Sequence, residues 1–207
     1  MYARSTTIAG TPGALDAGIT YVRDTVMPLV QGLEGWVGLS MLCDRESGRC
    51  IITTSWETEE AMRTSGPMVR ASRGRAGDIL DATDPDVQEW EVAVMHRVRE
   101  TGEGACARVI WCRAQTGQVD RIMEAWRTEI PPQLEQMPGF CGVSVLVDRA
   151  SAHAVAAVSY ESREAMDRSA EQGLILRSRF ADRMGFDITD VAEFDIVLAH
   201  LRVPELA

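Results

Sequence analysis

The sequence predicts an α+β protein made of two fused ferredoxin-like β-α-β-β-α-β repeats. Three observations carry that prediction: an internal repeat at constant offset, a hydrophobic period that switches between two and about 3.6 residues, and a hairpin turn signal in each half. Sliding the chain against itself by 104 residues aligns the halves without a gap, placing GWVGLSMLCDR (35–45) on GFCGVSVLVDR (139–149) and SWETEEAM (55–62) on SYESREAM (159–166). Pro28 falls on Pro132 and His96 on His200. A fixed offset over most of a chain is the mark of duplication. The seam RETGEGA (99–105) is short and rich in Gly and Glu, as an exposed linker should be, so the predicted domains are 1–101 and 105–207.

Each half repeats one order of elements. Residues 2–9 form a strand ended by the glycines of GTPG (10–13). Residues 14–32 place Leu15, Ile19, Val22, Val26, Leu29 and Val30 at three- and four-residue spacing, which is helical. Strands follow at 36–43 and 50–56 around the turn DRESGR. Residues 58–81 read as a helix with a break near Gly66-Pro67, because proline disrupts a helix interior. The alternation in VQEWEVAVMHRV makes 87–98 a fourth strand. In the second half the strands fall at 106–113, 140–147, 154–160 and 191–202, and the helices at 118–136 and 162–184. Four strands in this order form one antiparallel sheet with helices on one face. The other face is apolar as well, so two such sheets cover each other, and the two halves are expected to close into one pseudo-dimeric α+β barrel.

Composition narrows the function. A net charge of −10 over 207 residues argues against a general nucleic-acid partner, since neutralising phosphates needs a basic face. No apolar run reaches the ~18–20 residues of a membrane span, and the N-terminus lacks a signal-peptide pattern, so a cytoplasmic protein with no membrane partner is expected. The chain has no Lys and no Asn, and all 21 basic residues are Arg. That composition fits a GC-rich, for example actinobacterial, genome, and it removes Schiff-base lysine and P-loop chemistry. Five cysteines without Cys-x-x-Cys spacing argue against a disulfide framework and read as buried thiols, with Cys43 and Cys50 facing each other across a hairpin. His96, His153 and His200 are too scattered for a metal set.

The order of elements, the Glu34-Gly35 and Pro138-Gly139 pairs before the second strand of each half, and the strand-end aromatic followed by Glu-Ala-Met resemble the antibiotic-biosynthesis-monooxygenase domain of the dimeric α+β barrel superfamily. The resemblance covers almost the whole chain. It implies a pocket between sheet and helices, no metal or flavin cofactor, and chemistry in which the substrate's own anion reduces oxygen while the protein supplies desolvation and hydrogen bonds to an oxyanion. On that basis the chain is expected to be a monomeric pseudo-dimer, open to further self-association, with a flat aromatic or quinone-like small-molecule ligand. A non-catalytic binding or interaction protein on the same barrel is the alternative. Haem-degrading relatives use an asparagine and a second-helix histidine; this chain has no asparagine, and Ser65 and Ser169 stand where that histidine often falls.

Candidate site residues follow from type and position. Trp56 and Tyr160 occupy the strand-end aromatic position, where they either wall a flat ligand or close the strand–helix joint, and Tyr160 adds a hydroxyl. Arg4 and Arg108 lie among apolar neighbours in the first strands, where an inward guanidinium would hold a carboxylate or enolate bidentately and an outward one would simply be solvated. His96 and His200 sit at one point of the two last strands, as acid–base candidates or satisfied core residues. The catalytic set is therefore Tyr160, His200, Arg108 and His96, and the ligand-binding set Trp56, Tyr160, Arg4 and Arg108, with no metal ligands. Arg73, Arg75, Arg177 and Arg179 read as helix-surface ion-pair partners. Because Trp111 and Arg113 replace Thr7 and Ala9, the active pocket is expected in the second half.

Overall fold

The computed structural model describes residues 1–82 and 85–201. Eight strands are present: β1 Tyr2–Ala9, β2 Trp36–Cys43, β3 Arg49–Trp56, β4 Asp86–Arg97, β5 Cys106–Arg113, β6 Phe140–Asp148, β7 His153–Tyr160 and β8 Asp187–Leu201. They close into a barrel in the order β1-β3-β2-β8-β5-β7-β6-β4. The predicted strands appear within a few residues of their expected ends; residue 202, the last of the predicted final strand, lies outside the described residues.

The chain forms two compact units, one holding Met1–Glu91 and β8 from Phe194, the other Val92–Glu193. In the first unit β3 pairs antiparallel with β1 and β2, β1 pairs with β4, and β2 pairs with β8 from Gly38↔Leu201 to Cys43↔Asp195. In the second, β7 pairs with β5 and β6 in the same pattern, Cys106↔Tyr160 and Phe140↔Tyr160 matching Tyr2↔Trp56 and Trp36↔Trp56. Both second strands carry a register shift after their first residue, at Trp36/Gly38 and Phe140/Gly142. Such bulges re-aim side chains, and this one is present in both halves.

Helices lie on one face of each sheet. In the first unit they are α1 Leu15–Tyr21, a π-helical turn Val22–Val26, α2 Met27–Gln31 and α3 Glu59–Ile79. In the second they are α4 Val119–Glu129, α5 Pro131–Leu134, α6 Arg163–Arg168 and α7 Ala170–Met184. The break expected at Gly66-Pro67 is absent, and α3 runs through it with Pro67 inside. Pro67 removes only the N–H that would reach the carbonyl of Arg63, and both residues are exposed, so that carbonyl is left to solvent. The interruption falls in the second half instead, at Ser169 (φ −86°, ψ −3°) between α6 and α7. Thr58 and Ser162 cap α3 and α6 by accepting from the backbone N–H of Ala61 and Ala165, as N-cap hydroxyls do. No helix among the described residues is long and apolar enough to cross a membrane.

The two cores differ in filling. In the first unit Leu39, Met41, Cys43 and Cys50 from the sheet meet Leu15, Val22, Val30 and Leu80 from the helical layer, all fully buried. Leu80 occupies the place a side chain on Gly18 would need: a β-carbon there would collide with its Cδ2. At the aligned positions the second unit carries Ile122 and Met184, and Phe180 in place of Ala76. Across from them lie Ala152, just before β7, and Ala154 and Ala156 of β7, where the first unit has Gly48, Cys50 and Ile52.

Candidate functional site

The repeated phrase is a structural clasp. Gly35 and Gly139 have φ +71° and +65°, and a β-carbon on either would come within 2.7 Å and 2.5 Å of the Ala61 and Ala165 methyls of the two Glu-Ala-Met segments. The carbonyls of Gly35 and Gly139 accept from the N–H groups of Glu57 and Glu161, each at 2.8 Å. The motif therefore seats the second helical segment on the start of the second strand. Trp56 belongs to this joint: it is fully buried and its indole N–H donates to Thr54 Oγ1 at 3.1 Å.

The second unit holds a partly open cavity of about 120 Å³ between β5, β6 and β7 and the helices α4, α5 and α7. Strand parity selects its floor, because residues two apart share a face: Arg108, Ile110 and Cys112 from β5, and Ala154, Ala156, Val158 and Tyr160 from β7. Met123, Trp126, Leu176, Arg177 and Phe180 line it from the helices. The lining is apolar apart from a polar end at Arg108, Arg177 and Tyr160, and His153 stands at the opposite end of β7. An outer groove against α5 and α7 shares Ile130, Leu176 and Phe180 with the cavity.

Arg108 is 4% exposed. Its Nε and Nη2 donate to Glu193 Oε1 at 3.0 and 2.7 Å, and Nη2 also reaches the Met166 carbonyl at 3.2 Å. Its guanidinium carbon lies 5.8 Å from the centre of the Tyr160 ring, within cation–π range. Its Nη1 is buried and has no hydrogen-bond partner among the described residues. Among the described residues the Tyr160 hydroxyl reaches only the Met137 sulfur, at 3.7 Å, a weak acceptor.

The duplicate copy shows that the fold can satisfy this arginine. Arg4 pairs with Glu89 and reaches the Met62 carbonyl in the same way, and its Nη1 donates to Ser65 Oγ at 2.9 Å. Ser65 and the matching Ser169 both donate to their helix carbonyls at 2.7 Å, Met62 and Met166, but Arg108 Nη1 does not reach the Ser169 hydroxyl.

Arg108 and Tyr160, both predicted, thus meet at one cavity. Arg4 and Trp56 stand in the first unit with their polar groups engaged. His96 and His200 are not among the cavity's lining residues. His96 Nε2 lies 2.7 Å from Glu135 and its ring stacks near Phe140. His200 stacks on Trp36 at 5.6 Å, its Nε2 buried and unpartnered among the described residues. Trp111, on the opposite strand parity, does not line the cavity.

Arg177, read from sequence as a surface ion-pair partner, instead lines the cavity. Burial and the neighbouring positive charge of Arg108 lower its proton affinity. The helical spacing that placed it beside Arg179 and Asp182 is common to inward and outward residues, so only its conservation at the Arg73 position of the duplicate hinted at it. Cys112 is pushed up to about 12 by burial, which leaves it a neutral thiol. Cys43 and Cys50 are directly opposed on β2 and β3 with sulfurs 2.9 Å apart and both free. Their hydrogen bond raises Cys43 well above the usual thiol range and lowers Cys50.

An eight-stranded barrel of two ferredoxin-like halves, with a pocket under the helices of one half, defines the class. An anthrone oxidase-like protein of solved structure superposes with a TM-score of 0.67 over 100% of this chain and 95% of that one, at 17% identity. A ferredoxin-fold protein related to antibiotic biosynthesis monooxygenases, from Listeria monocytogenes 4b F2365, superposes with a TM-score of 0.51 over 98% and 95%, at 10% identity. The fold is thus the α+β barrel of the antibiotic-biosynthesis-monooxygenase type. In sequence, the uncharacterized protein Rv2557 of Mycobacterium tuberculosis H37Rv is 45% identical over 206 residues, 100% of this chain and 92% of that protein. Rv2558 of the same strain is 46% identical over 207 residues, 100% and 87% of the two chains. The chain belongs to the family of these two mycobacterial proteins. No protein-family model matches it.

Proposed function

We propose that the protein binds a small aromatic molecule in the cavity of its second unit and oxidises it with molecular oxygen without a bound cofactor. The carrying observation is an apolar cavity that ends on Tyr160 and on a buried Arg108 with an unused donor. A phenol is the simplest substrate: one oxygen atom becomes a new ring carbonyl, and the other leaves as water with the ring hydrogen it replaces and the phenol's hydroxyl hydrogen, giving a quinone, all four electrons coming from the substrate. Arg108 would stabilise the phenolate from which oxygen takes its first electron, and the alanine and phenylalanine walls would exclude water while it does so. The monooxygenase-type fold supports this reading. Oxygen uptake by the chelator-treated protein with a panel of one- and two-ring phenols tests it. Tyr160→Phe should lower turnover or affinity well beyond Trp56→Phe, by the ~1–3 kcal/mol of a lost hydrogen-bond partner. Equal effects would count against a site in the second unit.

The alternative is a binding protein on the same barrel. It is favoured by the absence of any carboxylate among the cavity's lining residues and by the placement of its one histidine, His153, at the end of β7 remote from Arg108. The carboxylate beside Arg108, Glu193, is tied to Arg108 and Arg163 and does not line the cavity. Saturable binding with no oxygen consumption would select this reading.

A further inference from the structure

We infer that the cavity of the second unit takes a one-ring organic anion, its charged oxygens between the guanidiniums of Arg108 and Arg177 and its apolar body over Ala154 and Ala156. The inference rests on the cavity being the ligand site and specifies what enters it.

The charge requirement comes from an imbalance at one end of the cavity. Glu193 is the carboxylate there, and it is shared by Arg108 at 2.7 Å and Arg163 at 3.4 Å. Arg177 makes no ion pair with any described carboxylate and is half-buried beside Arg108. The two guanidiniums converge: a β-carbon on Gly173 would lie 3.6 Å from Arg108 Nη1 and 3.7 Å from Arg177 Nη1. The first unit has Val69 at the position of Gly173, so the second has less bulk where the two arginines approach. Arg108 Nη1 is the unpartnered atom, and its duplicate on Arg4 is satisfied by Ser65. A buried donor left unmade is costly, and a guanidinium donor matches carboxylate or phenolate oxygens best.

The size requirement comes from the volume. The cavity measures about 120 Å³, whereas a cavity of about 150 Å³ lined by aliphatic side chains and phenylalanine holds one benzene. One ring fits and a fused three-ring system does not. The aligned residues explain the limit, since Phe180 and Ile122 reclaim on the helix side part of what Ala154 and Ala156 release on the sheet side.

The test uses the whole chain and three ligands: benzoate, neutral benzyl alcohol of nearly equal size, and three-ring anthraquinone-2-carboxylate. Binding is followed by calorimetry and by the fluorescence of Trp126, which lines the cavity. Benzoate should bind saturably and at least about tenfold more tightly than benzyl alcohol. Arg177→Gln should weaken benzoate by about tenfold and leave benzyl alcohol unchanged. Because Arg108 ties down Glu193, its removal can disturb folding, so Gly173→Val is the second variant. It should abolish benzoate binding with an unchanged circular dichroism spectrum. Equal affinity for benzoate and benzyl alcohol, or an Arg177→Gln protein that binds both as before, would overturn the anion assignment and leave the cavity as a ligand site. Binding of the three-ring acid alone would overturn the size assignment. If none of the three binds, the cavity is not the ligand site and the proposed function falls with the inference.

Discussion

Replacing Ala156 by isoleucine gives the second unit the residue its duplicate already carries as Ile52. In a filled core this change would overpack and cost about 1–3 kcal/mol. Here Ala156 faces a cavity of about 120 Å³, so the added carbons enter empty space. Three more buried methyl or methylene groups at about 0.8 kcal/mol each, less about 0.5–1 kcal/mol of lost side-chain freedom, stabilise the fold by roughly 1.5 kcal/mol. Urea unfolding should show a higher midpoint for Ala156→Ile and an intermediate one for Ala156→Val. Benzoate affinity should fall at least tenfold, because the ring and the isoleucine compete for one space. The two readouts move oppositely only if the hollow is both real and used. A lower midpoint would refute the hollow, and a higher midpoint with unchanged binding would refute its use.

Other outcomes follow from the same packing. Gly139→Ala forces a β-carbon to 2.5 Å from Ala165 at φ +65° and should destabilise by more than the ~1–2 kcal/mol of the left-handed backbone alone, measurable as a drop in thermal midpoint. Ala152, at φ +56° where the duplicate has Gly48, bears that backbone cost already, so Ala152→Gly should stabilise the fold by up to about 1 kcal/mol and raise the thermal midpoint. Cys112, at about 12 in the fold against about 8.5 for a free thiol, favours the neutral form. Its contribution is therefore complete below about pH 8.5 and lost as pH rises towards 12; unfolding midpoints should fall over that window in the native protein and fall less in Cys112→Ala. A fragment of residues 1–101 leaves β2 without the β8 ladder from Gly38↔Leu201 to Cys43↔Asp195. It should self-associate or precipitate through that open edge, and light scattering showing a stable folded monomer would contradict this.

The sequence by itself determined the repeat, the order of elements and which residues of a strand share a face. Those properties are local. Period-two alternation groups Arg108 with Ile110 and Cys112 without reference to the rest of the chain, although only the structure turns that face toward the helices, and the glycine before each second strand reports a backbone angle set within a few residues. The expectation of a helix break at Pro67 failed because proline's cost depends on where the freed carbonyl points, and exposure is not local. What only the tertiary structure decided is that the second unit holds a cavity beneath its helices. A cavity is a small difference between summed volumes, and here the terms are far apart: Ala156 against Ile52, Ile122 against Gly18, Phe180 against Ala76, with Leu80 filling the first unit. The same holds for polarity, since Arg4 and Arg108 are equivalent in sequence context, yet one is satisfied and the other is not. In both units the serine sixty-one residues downstream donates to a carbonyl of its own helix, and the difference lies in the guanidinium, whose Nη1 reaches that hydroxyl in the first unit and does not in the second.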